Sequence, residues 1–313
     1  MPTTGTEAKG FNYVTKDGNL LDQKINAGLF TATLGTPDVE LVNGGKSFTL
    51  KTISTTGLQA HTRGKGFNSG KVTDEKTIYT MGQDRDVEFY LDRQDVDETN
   101  NELAMANISN VFITEHVQPE LDSYRFSKLA TLFDNIDASD TEGTLLAKSH
   151  KVEETLDTSN VYSQLKSGIG KVRKYGTQNL VAYVSSEVMD ALERSKEFTR
   201  NITNQNVGTT ALESRITSID GVQLIEVYEP NRFMTKYDYT DGAKPTEDAK
   251  SINFLIVAKP AVISIVKENA VFLFAPGQHT EGDGYLYQNR LYHDLFVKKH
   301  KRDGIYVSIK SGN

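Results

Sequence analysis

The chain has 313 residues, enough to bury a full core as one elaborate domain or two modest ones. It contains no cysteine, which excludes disulfides and thiolate metal sites, and no run approaches the ~18 consecutive apolar residues of a membrane helix. Against 42 acidic residues stand 35 basic ones, and the formal charge of −7 argues against a protein that grips nucleic acid by neutralising phosphates.

The opening residues lack a basic start followed by an apolar run, so the chain is expected to be made and kept in the cytoplasm, or released by lysis. Residues 1–34 mix small, polar and isolated apolar side chains without a lasting period and read as an extended arm. Residues 37–45 lead into 47–53, whose partial alternation and β-branched residues predict a strand. A second strand is predicted at 86–92, with Val87, Phe89 and Leu91 on one face. Between them, residues 57–70 hold four glycines together with Arg63 and Lys65, and read as a long hairpin tip. A loop of that length is uncommon inside a compact domain, so something outside the subunit is expected to order it.

Residues 97–134 read as one very long helix. Met105, Ile108, Val111 and Phe112, then Leu121, Phe126, Leu129 and Phe133, recur mostly in steps of three or four and draw a stripe along it. Unbroken, it would span about 55 Å at ~1.5 Å per residue, a length that suits a scaffold better than an active site. Pro119 lacks an N–H and predicts a kink or a fresh start in the middle.

An acidic turn (134–140) and a polar connector (148–157) come next. Thr158, Ser159 and Asn160 then offer caps to a helix carrying Val161, Leu165, Ile169 and Val172. A strand is predicted at 179–184, a helix at 185–198, and strands at 221–227 and 252–258. Pro260 is placed to open a short helix through Val266. A long alternating stretch covers 285–297, and 304–309 closes the chain. Residues 200–215 and 239–250 read as exposed loops, and no internal repeat is present.

The candidate chemical motifs fail on context. Gly44, Gly45, Lys46 and Ser47 resemble the end of a phosphate-binding loop, but position 40 is Glu40 rather than glycine and a strand follows instead of a helix. The glycines from Gly64 to Gly70 are one residue too long for a dinucleotide fingerprint and lie between strands. Asp134, Asp137 and Asp140 have every-third spacing, whereas calcium loops need alternate positions and a glycine at the turn. His293 and His300 flank Asp294 without a third ligand, and pairing Glu115 with His116 as acid and base would be arbitrary. No Gly-x-Ser-x-Gly elbow is present. No catalytic, cofactor or metal site is expected.

The order of elements is an arm, a glycine-tipped hairpin, a long helix, an α+β module and a long returning strand. It resembles the major capsid proteins of tailed bacteriophages, the Hong Kong 97 type of shell fold. Residues 116–130 (HVQPELDSYRFSKLA) look like the end of that family's spine helix; 179–186 (NLVAYVSS) with the following helix, and 285–297 (YLYQNRLYHDLFV), are also similar.

The resemblance implies an α+β fold with an N-terminal arm at 1–34 and an extended hairpin loop at 35–95 lying over a neighbouring subunit. It further implies a peripheral domain at 96–150, joined by 281–302, and an axial domain at 151–280, joined by 303–313. Contacts between subunits are expected from the loop tip, at Arg63, Gly64, Lys65, Gly66, Phe67 and Gly70, and from the spine helix, at Asp122 and Arg125. The implied protein is not an enzyme. It builds pentamers and hexamers of itself into the icosahedral head of a virion, assembled in the host cytoplasm around double-stranded DNA, with a portal protein and no membrane. Because Met1 stands close to the arm, a separate scaffolding protein is expected. Two alternatives are an encapsulin-like shell that holds cargo, and a soluble α+β enzyme with a glycine-rich lid at 57–70.

Overall fold

Near-continuous apolar runs such as Leu180–Ser185 and Ile252–Ala258 make strands that are covered on both faces, and they set the centre of the molecule. The computed structural model describes residues 28–34, 47–61, 63–64, 67–94, 105–137, 139–196, 217–278 and 282–312. Most of the expected arm, the Gly44–Lys46 turn, the first turns of the long helix and the expected loop at 200–215 lie outside these residues.

In chain order, strands β1 (Ser47–Thr55), β2 (Val72–Thr80) and β3 (Gln83–Leu91) precede helix α1 (Met105–Phe112), a π-helical turn (Ile113–Val117) and α2 (Gln118–Ala130). Helix α3 (Thr141–His150), β4 (Lys151–Glu154), α4 (Val161–Val172), β5 (Leu180–Ser185) and α5 (Ser186–Glu193) follow. The remainder is β6 (Ser218–Ile219), β7 (Val222–Val227), β8 (Tyr237–Asp238), β9 (Lys244–Pro245), β10 (Ile252–Ala258), β11 (Val262–Phe274), β12 (Tyr285–Val297) and β13 (Ile305–Lys310).

Among the described residues the strands form a six-stranded sheet in the order β4-β13-β10-β5-β7-β6, a three-stranded sheet β11-β12-β3, and the pairs β1-β2 and β8-β9. Side chains alternate across the large sheet. Leu180, Ala182, Val184, Phe254, Ile256 and Tyr306 pack under α4 and α5, while Val181, Tyr183, Leu255, Val257 and Val307 meet Phe126 and Leu129 from the long helix and Phe133 from the turn after it. Gly168 lets α4 approach closely: a Cβ there would lie 2.8 Å from the Tyr306 ring. Closer to its N-terminal end, the long helix packs Ile113, Val117 and Leu121 against Leu291 of β12. One helix thus underlies both sheets.

Several expectations change. The long helix stops at Ala130, not Asp134, and Pro119 stands in the first turn of α2, which begins at Gln118 after the π turn as the expected fresh start, though the backbone stays helical through it. The π turn just before the proline absorbs the missing donor: Phe112, Val117 and Gln118 all keep right-handed helical dihedrals, and the Gln118 N–H reaches back to the Ile113 carbonyl. The hairpin partner of β1 is β2, which the sequence reading passed over, because Asp74, Glu75 and Lys76 hide its alternation; β3 pairs instead with β12. The supposed connector at 148–157 contains the end of α3 and the parallel edge strand β4. Asp157, not residues 158–160, accepts the N–H groups of Ser159 and Asn160 ahead of α4. Helix α5 ends at Glu193 rather than running to Phe198. The helical turn holding Pro260 ends at Ala261, after which the β-branched run Val262, Ile263, Ile265 and Val266 becomes β11.

Candidate assembly interface

Strands β1 and β2 pair from Ser47 opposite Thr80 to Thr55 opposite Val72. The ladder closes where the Thr56 N–H donates to the Lys71 carbonyl at 3.0 Å and the Lys71 N–H donates to Thr56 Oγ1 at 3.0 Å. Beyond it the tip turns through Gly64, whose φ of +85° is open to glycine at no steric cost. Only the base is seated. Phe48 and Met81 are buried against Ile263, Ile265, Tyr292 and Phe296, with Phe48 and Tyr79 stacked at 5.3 Å. The Lys299 N–H donates to Tyr79 Oη at 3.1 Å, and Lys299 Nζ pairs with Glu75 at 2.6 Å, holding that carboxyl below its ordinary range. Farther out, Ile53 and Ile78 are each 69% exposed, and Leu58 and Phe67 are wholly exposed. A two-stranded ribbon of this kind has no core of its own.

Asp294 fixes the hairpin to the body. Its Oδ2 accepts the Gly82 N–H, from the turn between β2 and β3, at 2.9 Å. Its Oδ1 accepts the Tyr124 hydroxyl at 2.7 Å and the Lys128 ammonium, both from α2. Burial, then the neighbouring carboxylate, pushes the Tyr124 phenol well up. Beside it His293 is buried edge-on to Tyr124, and its pKa falls to about 3, first through burial and then through the Arg125 charge. The sequence reading missed this clamp, although an aspartate inside the apolar run of β12 was a legible signal, since a buried carboxylate requires donors.

Of the expected contact residues, Arg63, Gly64, Phe67 and Gly70 are exposed at the tip. Lys65 and Gly66 lie outside the described residues. Asp122 and Arg125 are a correction: both are buried inside the chain. Asp122 Oδ1 accepts the Thr31 N–H at 3.1 Å and the Thr31 hydroxyl at 2.7 Å, and Oδ2 accepts the Phe30 N–H at 3.1 Å. Arg125 Nη1 donates to Thr31 Oγ1 at 2.8 Å, and Arg232 Nη1 lies 3.7 Å from Asp122. Burial raises the Asp122 pKa and lowers that of Arg125. Their polar atoms pin the segment before β1 onto α2.

The other carboxylates and histidines go to separate partners. Asp134 pairs with Lys151, Asp137 accepts from Ser139, and Asp140 caps α3 through the Gly143 N–H while pairing with Arg302 at 2.6 Å. His300 lies 3.3 Å from Glu75. The expected exposed loop at 239–250 is tied down by β9 on β8 and by Lys236 with Asp248. No helix among the described residues is long and apolar enough to cross a membrane.

The fold of this chain matches those of tailed-bacteriophage capsid proteins. The chain is similar to a protein of the bacteriophage PhiM1 mature capsid at a TM-score of 0.63 and 12% identity, over 89% of this chain and 91% of that one. It is similar to one in the capsid of cyanophage P-SCSP1u at 0.61 and 9% identity, over 90% and 87%. A structure from Mycobacterium phage Bobi matches at 0.56 and 12% identity, over 91% of each chain. No protein-family model matches the sequence, and no curated protein does.

Proposed function

We propose that this chain is a shell-building structural protein of the Hong Kong 97 type. Its copies assemble as pentamers and hexamers into an icosahedral phage head around double-stranded DNA. The observation that carries this reading is the hairpin, seated at its base and exposing Ile53, Leu58, Phe67 and Ile78 along the rest of its length. Such a ribbon finds its missing core by lying across a neighbour, and repeated heterologous contacts of that kind close into rings and shells.

In this reading residues 35–95 are the extended loop and 105–130 the spine. Residues 96–150 with 281–302 form the peripheral domain, and 151–280 with 303–313 the axial domain. The net charge of −7 suits a wall that encloses DNA without gripping it. Scaffolding and portal proteins are the expected partners, with assembly in the host cytoplasm.

Negative-stain electron microscopy of the purified chain, with size-exclusion chromatography and light scattering, tests the proposal. Closed particles, tubes or five- and six-membered rings are expected. A homogeneous monomer or dimer at every salt and concentration tried would overturn it. Nuclease-protected DNA in particles from the native host fits a head, whereas protein cargo in its place would assign an encapsulin-like compartment.

A further inference from the structure

A cleft of about 720 Å³ follows the outer edge of β3. Consecutive residues Asp84–Val87 line it, so it runs along the strand rather than over one face, and the turn between β8 and β9 borders it. Its floor is apolar, made by Val87 and Phe89 of β3 and Leu291 of β12, with Phe112 and Val117 as the opposing wall. That wall stands where the long helix passes into its π turn, a local widening that recurs at functional sites. The charges at the rim are already spent inside the chain, Arg85 on Glu120 at 2.7 Å and Lys244 on Asp241 at 2.6 Å. A charged occupant would find no unspent counterpart among these pairs.

Asn289 interrupts the apolar floor. It lies directly opposite Val87 in the ladder, lines the cleft and is only 4% exposed. Among the described residues its amide makes one hydrogen bond, from Nδ2 to Tyr287 Oη at 3.3 Å, and Oδ1 has no donor. A buried acceptor left unpaired is costly, so an occupant that fits here brings a donor on an apolar body. An indole meets both needs, because its N–H donates and nothing on its ring accepts. A phenol hydroxyl also donates, but its lone pairs would go unsatisfied against this floor.

We infer that the cleft receives a tryptophan side chain of a partner protein, its Nε1–H donating to Asn289 Oδ1 and its ring resting on Val87, Phe89 and Leu291. The partner is a different protein, because this chain contains no tryptophan. The sheet order ends at β3, so among the described residues no strand lies beside its outer edge. Backbone on either side of the anchor can pair there, as an added strand does on an open edge. Cleft and edge together select a short extended segment with an indole at its centre.

The absence of tryptophan from the chain also gives a clean test, since an added indole is then the sole fluorophore of its kind in the sample. N-acetyl-tryptophanamide titrated with full-length chain should shift its emission to the blue and saturate. Its 1-methyl form, which lacks the N–H, should bind about five-fold or more weakly. Asn289→Leu should remove that preference, so that the two forms bind alike. The comparison of the two ligands needs no variant, and it decides the matter even where Asn289→Leu fails to fold. A peptide with tryptophan at the centre of an alternating threonine and valine sequence should bind about ten-fold more tightly than the single amide, through backbone pairing with β3. No saturable binding, equal binding of the 1-methyl form, or tighter binding of N-acetyl-tyrosinamide overturns the inference. Equal affinity of peptide and amide overturns its polypeptide part and assigns the cleft to a free indole instead.

Discussion

Strand β10 of the six-stranded sheet is buried at every position, whereas β2 of the hairpin is buried at none. Both strands contain β-branched and aromatic residues, so propensity does not separate them. What differs is the supply of covering surface: β10 lies between β13 and β5 with packed layers on both faces, while β2 has only β1. Under the proposed function, stability and association reside in different parts of this chain. A substitution in the large sheet should unfold the subunit, and one in the outer hairpin should leave the subunit intact while changing what it joins.

The largest effect is expected from Phe254→Ala, which opens a cavity at a fully buried position and should cost about 3–5 kcal/mol in urea unfolding. Asp122→Ala takes the carboxylate from beside the buried Arg125 and leaves the Phe30 and Thr31 N–H groups without their acceptor, for a loss of about 3 kcal/mol or more. Gly168→Ala pushes a methyl group into Tyr306 and Ile256 and should cost about 1–3 kcal/mol; Gly57→Ala meets nothing within 4 Å and should stay within about 0.5 kcal/mol. A large loss at Gly57 would break the comparison.

Acid sensitivity should also sit in the body. His293 has a pKa of about 3 in the fold, below its unfolded value of 6.5, so between these values the unfolded chain binds more protons. This contribution is complete above about pH 6.5 and declines as pH falls toward 3, by up to about 1.4 kcal/mol per unit. Arg125, Lys128 and Arg85 oppose the imidazolium and Asp294 favours it. His293→Gln should flatten that part of a stability-against-pH curve; an unchanged slope would place the sensitivity elsewhere. The smallest effect on stability is expected from Phe67→Ser. Its unfolding midpoint should match the parent within about 0.5 kcal/mol, while its particles by light scattering are reduced or lost.

Much of the architecture could be read from periodicity. Strands 252–258 and 285–297 have the predicted bounds, and the helix carrying Val161, Leu165, Ile169 and Val172 follows its apolar spacing. Long apolar patterns survive because burial enforces them. Strand β2 was not legible because none of its residues is fully buried and only alternate ones from Glu75 to Tyr79 are partly covered, so polar and charged residues are tolerated along it and obscure the apolar alternation. The roles of Asp122 and Arg125 were illegible for another reason: a charged pair on a helix looks the same whether it meets solvent, a neighbour or, as here, a chain segment 91 residues away. The exposure of Arg63 and Phe67 at the tip agrees with the reading of their loop.

The position of β12 at the centre of its sheet also sets a timetable. The Gln288 amide meets Glu88 across 200 positions, and Lys299 meets Glu75 across 224. At roughly 5–20 residues per second, a ribosome delivers the second partner on the order of 10–40 s after the first. Throughout that interval Phe48 and Met81 have no Tyr292 or Phe296 to rest on, and β3 has no strand beside it. A nascent chain therefore cannot present a seated hairpin until β12 has been made, and the order of synthesis by itself holds the base of the hairpin open until then.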